Sequence, residues 1–172
     1  AGGRRRYSDY LSVYGEERAS FGNRQGLTHA YGADFTPGEK LSVGLGFEIG
    51  NLEESDQLIE REAYTLSAGY TDEGLTIGSA FEWRDDRADG VARETWLFRS
   101  NLGLQLSDNW RALAKLNHAE SDGTGGNIAS ADFTEAQLGG AYRPINNDRS
   151  NALFRYTYFR DLAPGQQVSA AG

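Results

Sequence analysis

The sequence predicts an all-β protein, an antiparallel up-and-down transmembrane β-barrel that occupies residues 1–172 as a single domain. Three observations predict this fold. Apolar side chains alternate with small or polar ones in about nine segments, and a period of two is typical of strands with two different faces. No run of about 18 apolar residues is present to form a transmembrane helix. The connections between the segments are alternately compact and long.

The average composition does not oppose this prediction. A net charge of −8 and a mean hydropathy of −0.61 are typical of a soluble acidic domain. In a membrane barrel, however, lipid-facing and lumen-facing residues alternate, so the mean hydropathy stays low. Only the alternation of apolar and polar residues then indicates a membrane-spanning strand.

The clearest strand is Lys40–Gly50. One face carries the apolar side chains Leu41, Val43, Leu45, Phe47 and Ile49, and the other carries Ser42, Gly44, Gly46, Glu48 and Gly50. At about 3.3 Å per residue, the apolar face is roughly 25–30 Å long, close to the height of a bilayer's hydrocarbon band. This segment is therefore predicted to cross a membrane.

The same alternation predicts the other strands in order. The first is the least clear, because Asp9 shares a side with Leu11 and Val13. Each later segment has apolar residues at every second position, with small or charged residues between them. The predicted strands are Tyr7–Tyr14, Leu27–Phe35, Lys40–Gly50, Tyr64–Tyr70, Leu75–Arg84, Arg93–Leu106, Trp110–Asn117, Glu135–Arg143 and Asn151–Asp161.

The connections divide into two alternating classes. Compact turns are predicted at Thr36–Glu39, Thr71–Gly74, Ser107–Asn109 and around Asn146. Longer polar loops are predicted at Glu16–Gly26, Asn51–Glu62, Asp85–Ala92 and Ala119–Ala131. Outer-membrane barrels have this asymmetry, with short periplasmic turns and long extracellular loops.

Large aromatic residues on the apolar faces lie close to the predicted strand ends. They form two sets, one beside the compact turns and one beside the long loops, and so predict two interfacial girdles: Phe35, Tyr70, Trp110 and Tyr142 in the first, and Trp83, Trp96 and Tyr158 in the second. A soluble lipocalin-like barrel, the alternative, would turn the apolar face inward.

The predicted strand number is odd, whereas bacterial single-chain barrels close with an even number of strands. Either Tyr7–Tyr14 does not span the membrane and eight strands close the barrel, or the sequence is part of a larger barrel. The chain ends at Gly172 without the strand and terminal aromatic that usually end an outer-membrane barrel. The sequence therefore favours about 8–9 strands of a larger barrel.

Two phrases, Phe133–Pro144 (FTEAQLGGAYRP) and Asn151–Asp161 (NALFRYTYFRD), resemble the C-terminal barrel region of large, repeat-containing outer-membrane proteins of Gram-negative bacteria. The resemblance lies in strand pattern and not in a catalytic signature. It implies a location in the bacterial outer membrane and contact with outer-membrane lipid and lipopolysaccharide. It also implies that further strands or subunits complete the barrel.

Charged residues collect on the faces opposite the apolar ones. The basic members are Arg93, Arg99, Arg111, Lys115, Arg143 and Arg155, and the acidic ones are Glu48, Glu82 and Glu135. A basic wall around a water-filled lumen would make a passive pore that favours anions. Alternatively, these groups pair across neighbouring strands and fill a narrow interior, and the barrel conducts nothing and anchors a surface or periplasmic assembly.

Other chemistries have little support in the sequence. The chain has no Cys, and His118 is the one histidine close in sequence to a Ser and an Asp, without a third orienting group. Acidic residues of the predicted loops match no calcium-loop spacing. The Arg4–Arg6 triplet is isolated in an acidic chain and is read as a strand end. The sequence predicts no enzyme, no cofactor, no bound metal and no nucleic-acid partner.

Overall fold

The protein is described by a computed structural model over residues 2–20, 26–54, 57–123, 131–144, 150–161 and 167–171. Within those ranges the chain forms eleven strands: β1 (Gly2–Arg6), β2 (Leu11–Ser20), β3 (Gly26–Phe35), β4 (Leu41–Glu54), β5 (Gln57–Asp72), β6 (Leu75–Ala88), β7 (Val91–Ser107), β8 (Trp110–Asp122), β9 (Phe133–Tyr142), β10 (Ala152–Asp161) and β11 (Gln167–Ala171). No helix long and apolar enough to cross a membrane occurs in the described part of the chain.

All eleven strands belong to one sheet in which each strand pairs antiparallel with its neighbours in the chain. The predicted all-β, antiparallel, up-and-down architecture is therefore confirmed. The sheet is not closed into a barrel, because among the described residues β1 pairs only with β2 and β11 pairs only with β10.

The predicted number of strands is too low, and the first predicted strand is misplaced. Gly2–Arg6 and Gln167–Ala171 form strands that the alternation does not reveal, because neither has two contrasting faces. The predicted strand Tyr7–Tyr14 begins instead at Leu11. The Ser8 hydroxyl accepts hydrogen bonds from the backbone N–H groups of Tyr10 and Leu11, and this local bonding turns the chain before the strand starts.

Most residues of the four predicted long loops are in strands. The hairpin of β4 and β5 continues to the pair Glu54 and Gln57, and β6 and β7 meet at a turn of Asp89 and Gly90. Asp89 has a φ of 49° and Gly90 one of 80°, as expected for a tight hairpin turn. The remaining parts of these loops, residues 21–25, 55–56 and 124–130, lie outside the described residues, as do 145–149 of the compact turn around Asn146.

The prediction of long loops in these segments was wrong because charged residues were taken to indicate solvated loops. Asp86 is 1% exposed, and Arg61 on β5 donates hydrogen bonds of 2.7 and 3.1 Å to its two carboxylate oxygens. Charged residues that pair across two strands extend a hairpin as effectively as apolar ones. Composition alone does not distinguish these two cases.

The two faces of the sheet differ in character. Register partners share a face, so the apolar residues of β4 lie beside Phe35 and Tyr31 on β3 and beside Leu66 and Tyr64 on β5. We call this side the apolar face. The opposite side, the polar face, carries Glu48, Glu82 and Arg99 and most of the buried residues: Thr28, Ala30, Ile59, Ala63, Asp86, Ala88, Thr95 and Ala119.

The hydrophobic core is small and lies on the polar face near the β6–β7 turn. Ile59 and Ala88 pack together, with Val91 against them. The large apolar side chains are mostly exposed on the apolar face, where Leu45 is 58% and Leu138 is 61% exposed. The polar face thus holds most of the buried residues, and the apolar face has no cover within the described chain.

Candidate functional site

Aromatic side chains cross the apolar face in one row. Register pairs join Tyr31 to Phe47, Phe47 to Tyr64, Tyr64 to Trp83 and Trp83 to Trp96. Ring centroids are 4.9 Å apart for the second pair, 5.6 Å for the third and 6.2 Å for the last, within the range of favourable aromatic contacts. The five strands β3–β7 therefore share a continuous aromatic border.

All the aromatic residues predicted to form girdles lie on the apolar face by register: Phe35, Tyr70, Trp83, Trp96, Trp110, Tyr142 and Tyr158. The rings of Trp110 and Tyr142 are 4.8 Å apart beside the β7–β8 turn. Trp83 and Trp96 are not beside a loop, since β6 continues to Ala88 and β7 begins at Val91. They mark instead the point where the apolar face changes to charged residues.

The charged residues beyond this border are mostly acidic. The next row of the apolar face pairs Glu62 with Asp85, Asp85 with Glu94, and Glu94 with Asp122. Asp85 is 6% exposed, and Arg87 donates a hydrogen bond of 2.5 Å to it. Among the described residues, no three His, Cys, Asp or Glu side chains are placed to hold a metal ion.

The apolar band runs obliquely across the sheet. Phe35 is the last apolar residue of β3, and its row of register partners passes through β4–β8 and reaches Ala136 on β9. The apolar segment of β9 ends at Tyr142, six residues further on. Six strand-to-strand steps separate β3 from β9, so the band shifts by about one residue per strand. This shift is the stagger expected when strands tilt relative to a band of constant height.

On the polar face, most of the charges near the long hairpins are paired. Arg61 and Arg84 contact the buried Asp86, with Nε to carboxylate distances of 2.7 and 3.0 Å. Arg93, one of the predicted basic residues, is the register partner of Asp86, and its Nε is buried without a hydrogen-bond partner among the described residues. Arg18 reaches Glu48 over β3, at 3.7 Å.

The middle of the polar face holds further ion pairs. Arg99 lies 3.5 Å from Glu82, and Lys115 lies 3.4 Å from Glu135. The Glu135 carboxylate also accepts hydrogen bonds of 2.6 Å from the side-chain amides of Asn117 and Gln137. Of the predicted basic residues, Arg99 and Lys115 are therefore at least partly neutralised.

Arg111 and Arg155 differ from Arg99 and Lys115 in their ion pairing. Neither makes an ion pair with any described residue, and both lie beside β9 on the polar face. With Lys115 they line a groove of about 810 Å³, which also includes Asn101, Gln137 and Thr157. Arg143 follows β9 directly, where its backbone N–H donates to Asn109. Two guanidinium groups without a carboxylate partner among the described residues thus line the same groove.

A separate ionic network fixes the edge that carries the compact turns. Asp72 ends β5, and its carboxylate contacts the Lys40 ammonium at 2.8 Å. The Tyr70 hydroxyl and the backbone N–H of Glu73 also donate to it, at 3.0 and 2.7 Å. The hydrogen bond from Lys40, followed by those from Glu73 and Tyr70, lowers the pKa of Asp72 to about 2.

The histidine singled out in the sequence does not meet its candidate partners. His118 lies on the apolar face as the register partner of Phe98, and its Nδ1 is 2.9 Å from the Thr134 hydroxyl. Ser121 lies on the polar face, where its hydroxyl is 3.0 Å from that of Thr95. The hydroxyl also accepts a hydrogen bond from the Ala131 backbone N–H.

Two features of the polar face were not predicted. The Arg61–Asp86 pair fell in segments read as loop, and only the register of β5 and β6 brings its members together. The groove combines cations with Leu113 and Leu153, two apolar residues that the register places on the polar face. Gly139, which lies between them on β9, is the feature of the sequence that could have indicated a recess there.

No protein-family model matches the chain, and no curated protein matches its sequence. Function is therefore inferred from the exposed apolar face, the charged polar face and the groove.

Proposed function

We propose that the chain is a β-barrel of the bacterial outer membrane, or part of one, and forms a passive pore or part of a pore that favours anions. The observation that carries this proposal is the exposed apolar face, which extends from β2 to β10. Soluble monomers rarely expose contiguous apolar patches larger than a few hundred Å². Contact of such a face with lipid would cost no free energy, whereas its contact with water would.

The arrangement of the apolar face supports a bilayer as the covering medium. Aromatic residues border the band at both ends, and aromatic side chains concentrate at membrane interfaces. The oblique course of the band fits strands tilted in a membrane. In a lipocalin-like barrel the apolar face would be buried, but here most of the buried residues lie on the polar face.

The open sheet fits a barrel that further strands or subunits complete. Ten reversals of chain direction lie between β1 and β11, and because this number is even, the two edge strands run in the same direction. An antiparallel closure therefore needs an odd number of additional strands between these two edges. Lipopolysaccharide and outer-membrane lipid are then the surroundings of the apolar face.

The preference for anions follows from the charges of the polar face. Arg99 and Lys115 have carboxylate partners, but Arg111 and Arg155 have none among the described residues. Unpaired cations on a water-filled wall raise the local concentration of anions.

The second candidate is a barrel that conducts nothing and anchors an assembly in the outer membrane. The ion pairs on the polar face favour it, since Arg18–Glu48, Arg61–Asp86 and Lys115–Glu135 hold long side chains across the wall. Such pairs would fill a narrow interior.

Single-channel conductance across a salt gradient separates the two functions. We expect stable steps with a reversal potential that favours anions, and a shift toward zero in the double variant R111Q/R155Q. The variant R160Q is the matched control, because Arg160 lies on β10 but on the apolar face, opposite Thr134. Silence from the folded chain and from any longer protein that contains it would refute the pore and leave the anchor.

A further inference from the structure

The groove on the polar face has an amphipathic lining. On β9 the small residue Gly139 lines the groove, and residues with longer side chains line it on β8 and β10 on either side. Two strand spacings, about 9–10 Å, separate the backbones of these flanking strands. A small-residue strand between two strands with long side chains makes a trough.

The trough walls alternate between cationic and apolar groups. Arg111 on β8 and Leu153 on β10 both oppose Ala141, and the next row places Leu113 on β8 and Arg155 on β10 opposite Gly139. Each arginine position therefore has a leucine two residues away on its own strand and another across the trough in register. Lys115 and Thr157 continue the walls on either side of Gln137.

The two leucines are unusual for their place. Leu113 is 44% and Leu153 is 77% exposed, and they are the only large, exposed apolar side chains on the strands of the polar face in the described chain. An exposed apolar group on an otherwise polar wall costs free energy unless something covers it.

Arg111 and Leu113 are held next to each other by a glycine on β7. The position that a Cβ of Gly103 would occupy is 3.4 Å from Arg111 Nη2 and 3.7 Å from Leu113 Cδ2. Both side chains thus reach toward Gly103, on the β7 side of β8. The volume of about 810 Å³ is within the range of small-molecule sites.

We propose that this groove binds organic anions with an apolar body, of which an aromatic monocarboxylate is the simplest representative. Arg111 or Arg155 would pair with the carboxylate, and Leu113 and Leu153 would contact the apolar part. An inorganic anion leaves the leucines in water, and a neutral apolar molecule leaves the guanidinium groups without a partner. The inference rests on the proposed function because it requires solutes to reach the polar face.

The test is the binding of 4-fluorobenzoate to the whole chain folded in detergent micelles, followed by fluorine NMR. Protein-free micelles correct for partitioning, and circular dichroism verifies the β-structure of every variant. We expect saturable binding that falls about tenfold in R111Q/R155Q. We expect a loss of about fivefold in L113S/L153S and no change in R160Q.

Three results would overturn the inference: no saturable binding to the folded wild type, binding unchanged in L113S/L153S, or acetate competing as well as benzoate. The last two would show that charge alone attracts the ligand. Because binding is measured without a bilayer, a positive result stands even if the chain proves silent in conductance. An anion-favouring conductance without benzoate binding would leave the pore and refute the organic-anion site.

Discussion

The three tryptophans of the chain provide the sharpest test of membrane insertion. Trp83, Trp96 and Trp110 all lie on the apolar face. Trp96 is the register partner of Glu120, and Trp110 lies ten residues from Glu120 along β8. At about 3.3 Å per residue this separates the two indoles by roughly 33 Å along the strand. A tilt of about 40° reduces the separation to roughly 25 Å along the membrane normal, the height of the apolar band of a barrel.

The perturbation is a pair of single-tryptophan variants, one retaining Trp96 and one retaining Trp110, with the other indoles changed to Phe. Both should be quenched by lipids brominated near the headgroup more strongly than by lipids brominated at the chain end, because the proposed barrel would place both indoles at interfaces. Bromolipid confined to one leaflet should quench one variant and spare the other, because the expected 25 Å places the indoles in opposite leaflets.

The result that would refute this reasoning is quenching by aqueous acrylamide, with no effect of bromolipid on either variant. Water would then cover the apolar face, and a soluble fold would have to be reconsidered. Equal quenching of both variants from one leaflet would support membrane insertion but would contradict the strand tilt and register from which the 25 Å separation is calculated. The unfolded chain in urea, where both indoles meet acrylamide alike, is the reference.

Three further predictions concern stability, measured as resistance to urea in liposomes. The free energy of unfolding of D86N should be about 3 kcal/mol lower, because the substitution leaves the Arg61 guanidinium without its buried carboxylate. A loss below about 1 kcal/mol would show that the Asp86 carboxylate is not needed for stability. The folded pKa of Asp72, about 2, lies below its unfolded value of 3.8, so its contribution is present above pH 3.8 and is lost as the pH falls toward 2. Wild type should therefore be more stable than D72N above pH 4, and this difference in stability should shrink as the pH falls through 2, whereas a pH-independent difference would contradict the ionic origin. The free energy of unfolding of G50A should be about 1–3 kcal/mol lower, because a Cβ at this position overlaps the β3 backbone at Leu27 and Thr28. The variant G3A is the control and should leave the stability unchanged, because the space around Gly3 is open.

Much of the fold was predictable because alternation directly reports which residues share a face. The eight strands predicted from Leu27 to Asp161 all exist, and the pattern of Leu41–Ile49 is the pattern of the sheet's apolar side. The strand ends were not predictable where charged residues continue a strand. Arg61 and Asp86 look like loop residues until register places them opposite each other.

The candidate site shows the same division. The sequence by itself determined that Arg99, Arg111, Lys115 and Arg155 lie opposite the apolar residues, because a strand's side chains must alternate. Only the tertiary structure decided that Arg99 and Lys115 reach carboxylates while Arg111 and Arg155 lie beside exposed leucines in a groove. The physical reason is that ion pairing and groove shape depend on cross-strand register over distances of a few ångströms, and register joins residues that are far apart in the chain.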